Sequence, residues 1–227
     1  MSQQFTLFNL DKRESLAKSG SISEIVCSKI PPSLVSLLLK PGKTATSSDG
    51  LGAWAGHRLV CAGDQTKQYP AGMLAPQEEI EVQNHAADGT ALPDFYRFAC
   101  DAFVQAPLPS SDVPKFSGGQ VWVLRNHSKR VYVRADVLAG KPEVKGPFVE
   151  PFGFGDLLLA NITWSSDGVN MEHGDMLVLG PWAGDRFDIV PWDVAKKEMK
   201  KEKKSKPWRD VSDDQAKRTR LLLSDIF

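Results

Sequence analysis

The stretch GPWAGDRFDIV (Gly180–Val190) has a counterpart earlier in the chain, GAWAGHRLVCA (Gly52–Ala62). Both contain Gly-x-Trp-Ala-Gly-x-Arg followed by a mostly apolar run. Glycine allows a sharp bend, and the run after it predicts an extended strand. Phe187 and Ile189 would share one face of that strand, because successive side chains alternate between faces. Each copy therefore predicts a turn that leads into a strand.

A second pair of segments recurs in the same order. LFNLDKRESL (Leu7–Leu16) matches LRNHSKRVYV (Leu124–Val133) at four positions. Two ordered matches with similar spacing predict an internal duplication. The alternating residues around Asn-His-Ser in the second copy predict a β-hairpin. Asn126 suits its turn because Asn tolerates left-handed backbone angles and its side chain can bond nearby amides.

The expected fold is mainly β with a minor helical part: a pseudo-duplicated β-rich body with a C-terminal helical tail. The segment FGFGDLLLANITWSSDG (Phe152–Gly168) predicts a buried strand, and LPDFYRFACDAF predicts a short helix. The division expected is 1–119 for the first repeat with a loop-rich insertion and linker, 120–192 for the second repeat, and 193–227 for a basic Lys-rich tail with a terminal helix.

The charge of the chain is balanced overall but uneven along it. Residues 1–192 carry 17 Lys and Arg against 21 Asp and Glu, whereas residues 193–227 carry 11 against 7. The run Lys196–Lys206 is either a solvated spacer or a site for phosphates or nuclear import. A nucleic-acid partner is expected only through this run. The capping-box pattern at Ser212 predicts a terminal helix. Four apolar residues are expected to dock that helix on the body: Leu221, Leu222, Ile226 and Phe227.

Several classes of protein are disfavoured by what the sequence contains. No apolar run approaches the ~20 residues of a membrane helix, and the first residues lack a secretory pattern. Three widely spaced cysteines argue against a disulfide framework or a zinc site, so a cytoplasmic location is expected. His57 and Cys61 would lie about 13 Å apart on a strand, too far for a catalytic pair. Asp167, Glu172 and Asp175 supply few oxygens for calcium, and neither a metal nor a cofactor is expected.

The repeated motif supplies the candidate ligand-binding residues. Trp54 and Trp182 could stack on a sugar or a base, or could be buried core residues whose indole N–H finds a carbonyl. Arg58 and Arg186 could bind a carboxylate or phosphate bidentately. They could equally pair with an acid on their own sheet, and Asp188 is the acid expected beside Arg186.

The leading hypothesis is a non-enzymatic intracellular binding module built from two related repeats, with a protein or a carbohydrate as its ligand. It rests on the repeated architecture and on the absence of a convergent acid, base and nucleophile. The candidate ligand-binding residues are Trp54, Arg58, Trp182, Asp185 and Arg186. The alternative is an enzyme with an unrecognised site. That site would be formed by Asp185, Arg186, Asp188 and His173.

The combination of LRNHSKRVYVRADVL, FGFGDLLLANITWSSDG and GPWAGDRFDIV resembles a group of uncharacterised fungal proteins, some of them F-box-linked, that share a Trp-Ala-Gly-Asp-Arg motif. The resemblance covers residues 120–192 closely and 5–65 loosely. His57 stands where the motif has Asp, so any role that needs that acid is confined to Asp185. The resemblance implies a fungal, intracellular protein and no particular activity.

Overall fold

The computed structural model describes residues 3–16, 20–40, 50–66, 68–85, 94–107, 121–138, 153–165, 180–202 and 206–224. Of these described residues, 43% are helical and 25% are in strands. The fold is therefore mixed α/β, and the prediction of a mainly β fold underestimated the helices. One physical reason is that the helices at Ile30–Leu38 and Phe154–Ile162 are buried on nearly every side and therefore show no one-sided apolar stripe.

The described residues form nine strands and eight helices. The strands are β1 (Phe5–Asn9), β2 (Glu14–Leu16), β3 (His57–Gly63), β4 (Val104–Ala106), β5 (Trp122–Asn126), β6 (Val131–Arg134), β7 (Thr163–Trp164), β8 (Arg186–Pro191) and β9 (Arg209–Asp210). The helices are α1 (Ile22–Val26), α2 (Ile30–Leu38), α3 (Pro76–His85), α4 (Phe95–Ala102), α5 (Ala135–Leu138), α6 (Phe154–Ile162), α7 (Trp192–Lys201) and α8 (Ser212–Ser224).

The described strands join in one mixed sheet, in the order β4-β2-β1-β3-β8-β5-β6-β9, with β7 pairing β3 beside this path. The pairs β2–β4, β6–β9 and β3–β7 are parallel, and the others are antiparallel. The hairpin predicted in the second copy is present as β5–β6, and the matching segment of the first copy forms the hairpin β1–β2. We call β1, β2 and β3 the first hairpin unit, and β5, β6 and β8 the second hairpin unit.

The two hairpin units share a strand register. Asn9 lies opposite Leu59 in the first unit, and Asn126 lies opposite Phe187 in the second. In each case the partner is the residue that follows the motif arginine. The matched segments therefore occupy matching places in the sheet.

The hairpin turns differ from the prediction in one detail. The left-handed residues are Arg13, with φ 53°, and Arg130, with φ 54°. Asn126 was expected to tolerate that conformation, but it ends β5 as an extended residue and stabilises the turn through its side chain. The glycines of the motif, Gly56 and Gly184, have φ of 86° and 80°, which confirms the predicted bend.

The two units meet where β3 and β8 begin. Arg58 lies opposite Arg186 in this short antiparallel contact. The Gly56 N–H donates to the Phe187 carbonyl at 2.6 Å, and the Gly184 N–H donates to the Leu59 carbonyl at 2.7 Å. The hydrogen bonds between the units are thus reciprocal.

Helices cover both faces of the sheet. The main core lies on one face, where Leu59 and Phe187 are buried together with apolar residues of α1, α2, α5, α6 and α8. The opposite face has two smaller clusters. One surrounds Phe8 under α4, and the other joins Val190 to Ala195 of α7. Arg58 and Arg186 alternate with the main-core residues along β3 and β8, as predicted.

The apolar segment after residue 152 was predicted as a strand, and this prediction is wrong. Phe154–Ile162 forms α6, and only Thr163–Trp164 is extended. Nearly every residue of α6 is buried, so its apolar run has no helical period to detect. Gly155 allows α6 to approach α2, since a Cβ there would lie 2.3 Å from the Pro31 carbonyl oxygen. The helix predicted in LPDFYRFACDAF is confirmed as α4.

The C-terminal segment is continuous with the rest of the sheet. Part of the Lys-rich run is helix α7, which packs on β5 and β8. Strand β9 then pairs with β6. The terminal helix α8 docks on α5 and α6, with Leu222 buried against Ala160 and Leu221 55% exposed. Ile226 and Phe227 lie outside the described residues.

Candidate functional site

The two motif tryptophans are core residues. Trp54 is fully buried and Trp182 is 4% exposed. The Trp54 Nε1–H donates to a carboxylate oxygen of Glu14 at 2.5 Å, and the Trp182 ring lies 6.0 Å from that of Phe187. Neither indole can stack on a ligand that arrives from solvent. The structure therefore corrects the ligand-binding role considered for Trp54 and Trp182.

The motif arginines belong to a cluster at the centre of the sheet. We call Asp11, Arg58, Glu78 and Arg186 the arginine cluster. Arg58 donates to Asp11 at 2.8 Å and binds Glu78 bidentately at 2.7 and 3.0 Å. Arg186 donates to the same Asp11 at 2.6 Å. The acid expected beside Arg186 was Asp188, and this expectation is wrong because the turn of the first hairpin brings Asp11 closer.

The charges of the arginine cluster stabilise one another. Burial alone would raise the pKa of Asp11, but the hydrogen bonds and charge of Arg58 hold that pKa below its usual value. The same balance of burial and Arg58 lowers the pKa of Glu78. The bonds to Glu78, against the effect of burial, raise the pKa of Arg58. Asp11, Glu78 and Arg58 therefore stay ionised at neutral pH.

An asparagine holds each hairpin turn to the next strand. The Asn9 Oδ1 accepts from the N–H groups of Asp11 and Lys12, both at 3.1 Å. The other end of this amide, Nδ2, lies 3.1 Å from His57 Nδ1. Nδ2 can only donate, so His57 accepts through an unprotonated Nδ1. Burial lowers the pKa of His57, which favours this neutral form.

In the second unit, Asp185 takes the place that His57 has in the first, as the partner of the hairpin asparagine. The Asn126 Oδ1 accepts from the Lys129 N–H at 3.0 Å, and its Nδ2 donates to Asp185 at 2.8 Å. The Lys129 amine lies 3.4 Å from the same carboxylate. Burial raises the pKa of Asp185, and the Asn126 and Lys129 contacts only partly offset this rise. Asp185 thus anchors the hairpin.

A buried ion-pair network lies under α7. Arg125 is 1% exposed and donates to Asp188 at 2.6 and 2.8 Å and to Glu198 at 2.8 Å. The His127 Nε2 lies 3.0 Å from Asp188. Burial alone would raise the pKa of Asp188, but His127 and Arg125 lower it to about 2. Sequence reasoning missed Arg125, although its alternation with apolar Leu124 placed it on the face of Asp188.

The residues of the alternative catalytic cluster do not converge. Asp185, Arg186 and Asp188 each bind a different partner, and His173 lies outside the described residues. Burial raises the pKa of the Cys61 thiol to about 12, so this sulfur is a poor nucleophile. Among the described residues, no three His, Cys, Asp or Glu side chains are placed to hold a metal ion.

A cleft that the sequence did not predict opens beside α7. We call it the α7 cleft, and its volume is about 360 Å³. Its apolar lining comes from Tyr132, Met199, Pro207 and Trp208. Both aromatic rings are half-buried. The sequence signal for this site is the run Lys196–Lys206, for which a solvated spacer and a phosphate site were both expected as alternatives.

The polar rim of the α7 cleft is mostly cationic. Arg130, Lys196, Lys200 and Glu202 line it. Glu202 accepts from Arg130 at 2.5 Å and from the Trp208 Nε1–H at 3.3 Å. The Arg130 guanidinium also lies 5.2 Å from the Trp208 ring centroid. The single carboxylate of the rim is therefore already engaged.

No family profile matches this chain, and no curated protein or solved structure shows a significant match to it. The calcium candidates Asp167, Glu172 and Asp175 lie outside the described residues. Within the described part of the chain, the helices are all too short or too polar to cross a bilayer.

Proposed function

We propose that this chain is a non-enzymatic binding protein whose ligand is an acidic segment of another protein. One observation carries the proposal: the outermost charges around the arginine cluster and the hairpin turns are cationic, whereas Arg58 and its acidic partners lie deeper. The side chains of Lys12, Lys129 and Arg186 are 39%, 44% and 44% exposed. Their neighbours Asp11 and Asp185 are only 20% and 13% exposed. A partner that approaches this surface meets positive charge first.

The ligand class follows from which groups are accessible. The expectation of a carbohydrate depended on exposed tryptophans, and both are buried. Ammonium and guanidinium groups select carboxylates through charge-assisted hydrogen bonds. Complementary charge also accelerates encounter between proteins. An acidic peptide segment is the ligand that uses these groups best.

We also infer that the two hairpin units are diverged copies of one ancestral unit. Their hydrogen bonds to the preceding helices support this. The backbone N–H of Trp54 donates to the Leu37 carbonyl of α2. The backbone N–H of Trp182 donates to the Asn161 carbonyl of α6, and both distances are 2.8 Å. Two copies would offer two lysine-bearing turns to one partner, so weak contacts at each turn would add.

The proposal is tested with a fluorescein-labelled peptide of alternating Glu and Ser, and with a neutral peptide of Gln and Ser. We expect the acidic peptide to bind in a salt-dependent way and the neutral peptide not to bind. The variant Lys12→Gln/Lys129→Gln should bind about tenfold more weakly, a loss of about 1.4 kcal/mol. Fluorescence anisotropy measures both affinities.

The matched control is Lys196→Gln/Lys200→Gln, which removes the same charge at the α7 cleft. It should leave the affinity for the acidic peptide within about twofold of the original. Salt screens the interaction between exposed charges that lie more than about 8–10 Å apart, so charges at the α7 cleft should contribute little at the hairpin turns. An equal loss in both variants would contradict a defined site. Binding of the neutral peptide with the same affinity would contradict charge recognition.

We infer a cytoplasmic location for this binding protein, with nuclear import through Lys196–Lys206 as the alternative address. Kinship with the uncharacterised fungal proteins rests on the shared motif alone and adds no activity. A fluorescent fusion, with and without Gln in place of the lysines of that run, distinguishes the two locations.

A further inference from the structure

We propose that the α7 cleft binds single-stranded nucleic acid, with a base against Tyr132 and Trp208 and the backbone phosphates on Lys196 and Lys200. This site is separate from the arginine cluster, and the proposal goes beyond the binding of an acidic peptide. It is carried by three observations: exposed lysines that form no ion pair with a described residue, the aromatic lining and the size of the cleft.

The lysines of the cleft are exposed and form no ion pair with a described residue. Lys196 and Lys200 are exposed and lie one turn apart on α7, so their Cβ atoms are about 6 Å from each other. Among the described residues, no carboxylate forms an ion pair with either of them. The nearby acids are directed elsewhere, since Glu198 binds Arg125 and Glu202 binds Arg130.

Aromatic rings lie directly beside these cations. The Trp192 ring has the Lys196 amine 5.0 Å and the Arg134 guanidinium 5.6 Å from its centroid, and it lies 5.2 Å from the Tyr132 ring. Trp208 completes the lining on the other side. A basic groove with aromatic platforms is the arrangement that binds single strands without reading sequence, since each base offers a π-face.

The Tyr132 ring itself presents no negative charge to a phosphate. Burial and the neighbouring Asp210 raise the pKa of Tyr132, so its phenol stays neutral at physiological pH. Asp210 itself accepts hydrogen bonds from the N–H and hydroxyl of Ser212. Asp210 does not line the cleft, and Glu202, which does, is paired with Arg130.

The size of the cleft selects an unpaired strand. A volume of about 360 Å³ lies at the lower end of small-ligand sites. A base can enter it only if its faces are not already covered by neighbours in a duplex. Double-stranded nucleic acid could reach the lysines but not the rings, and would lose the stacking contribution.

The experiment measures fluorescence anisotropy of a labelled oligodeoxythymidine with the full chain. We expect salt-dependent binding with a slope of log affinity against log salt near about −1.4, the value for two phosphate contacts on a single strand. Lys196→Gln/Lys200→Gln should weaken binding at least about tenfold and bring this slope close to zero. Tyr132→Leu should weaken binding several-fold and leave the slope unchanged, because it removes stacking without charge.

Two controls decide the outcome. Lys217→Gln/Arg220→Gln removes the same charge from α8. This helix packs through Ala216 into the main core, on the other face of the sheet from α7. The variant should bind the oligonucleotide like the original chain. Lys12→Gln/Lys129→Gln should also bind the oligonucleotide normally, so failure here is distinct from failure of the peptide site. Equal binding of the same sequence as a duplex would overturn the proposal. Preference for phosphatidylserine vesicles, full competition by inorganic phosphate, or an equal loss in the α8 variant would overturn it too.

Discussion

The two hairpin units differ most at one matching position of their registers. In the first unit, Phe8 lies opposite Val60. In the second, Arg125 lies opposite Asp188. An apolar pair in the first unit and a buried ion pair in the second therefore occupy equivalent positions of the same antiparallel strand pairing. The difference shows that the backbone pairing of the strands does not determine whether this face of the sheet is apolar or charged.

What decides it is the helix that covers each unit. Phe8 makes edge contacts with Phe95, Tyr96 and Phe103, at 5.6–5.9 Å between ring centroids, from α4 and the residue after it. Arg125 instead meets Glu198 of the lysine-rich α7. The first unit therefore has an aromatic cluster on this face, and the second has a charged surface with the α7 cleft beside it. The nucleic-acid site proposed above therefore lies beside the second unit.

The largest expected effect tests what the units share. Trp54→Ala and Trp182→Ala should each lower the free energy of unfolding by about 3–5 kcal/mol, because each empties a buried site. Trp54→Phe should cost more than Trp182→Phe, since only Trp54 donates to Glu14. Urea unfolding measures all four variants. An unchanged midpoint in either alanine variant would mean that its indole is not a core residue.

The next largest effect tests the difference between the Arg125–Asp188 pair of the second unit and the Phe8–Val60 pair of the first. Arg125→Phe should cost about 3–5 kcal/mol, because Asp188 would remain buried without its partner. Arg125→Phe/Asp188→Val, which copies the pair of the first unit, should recover most of this loss, since apolar replacements of buried ion pairs are often neutral. Thermal unfolding compares the two. A double variant less stable than the single one would show that α7 requires the charge.

A smaller effect concerns the asparagines. Asn9→Ala and Asn126→Ala should each cost about 1–3 kcal/mol, the effect of leaving buried hydrogen-bonding groups unsatisfied. The losses should be similar, because both side chains join a hairpin turn to the following strand. The control is Ser23→Ala, a local change in α1. An effect confined to one unit would contradict their equivalence.

The smallest expected effect is the pH dependence of stability that comes from His57 and Asp185, the partners of the two hairpin asparagines. The pKa of His57 is below 6.5 in the fold, so the unfolded chain binds the extra proton and stability falls as pH drops below about 6.5. The pKa of Asp185 is above 3.8 in the fold, so the folded chain binds the extra proton and stability rises as pH falls towards 3.8.

Unfolding curves of His57→Asn and Asp185→Asn, taken as differences from the original chain, separate the two responses. Asn keeps an acceptor at each site. The difference for His57→Asn should develop below about pH 6.5 and that for Asp185→Asn nearer pH 4, with opposite signs. Differences of the same sign would show that another titrating group dominates, with Asp11 and Glu14 the acids that face His57.

Much of the local structure was predictable because it depends on neighbours along the chain. The hairpins, the motif turns and the strands that follow them come from alternation, glycine and asparagine. The helix at Phe95–Ala102 follows from apolar spacing. The terminal helix is also present as predicted, but the Ser212 hydroxyl bonds Asp210 and the Arg134 N–H and does not form the expected capping box. The failure at Phe154–Ile162 has a physical cause, since a segment buried on every side carries no period.

By itself, the sequence determined the repeated elements, their apolar face and the clustering of basic residues near the C-terminus. The tertiary structure decided which groups meet: that Arg186 binds Asp11, that Asp185 anchors a hairpin and that Arg125 pairs with Asp188. It also placed Tyr132 beside the lysines of α7. These contacts join residues far apart in the chain, and they form only when the sheet order brings their strands together, which no local pattern encodes.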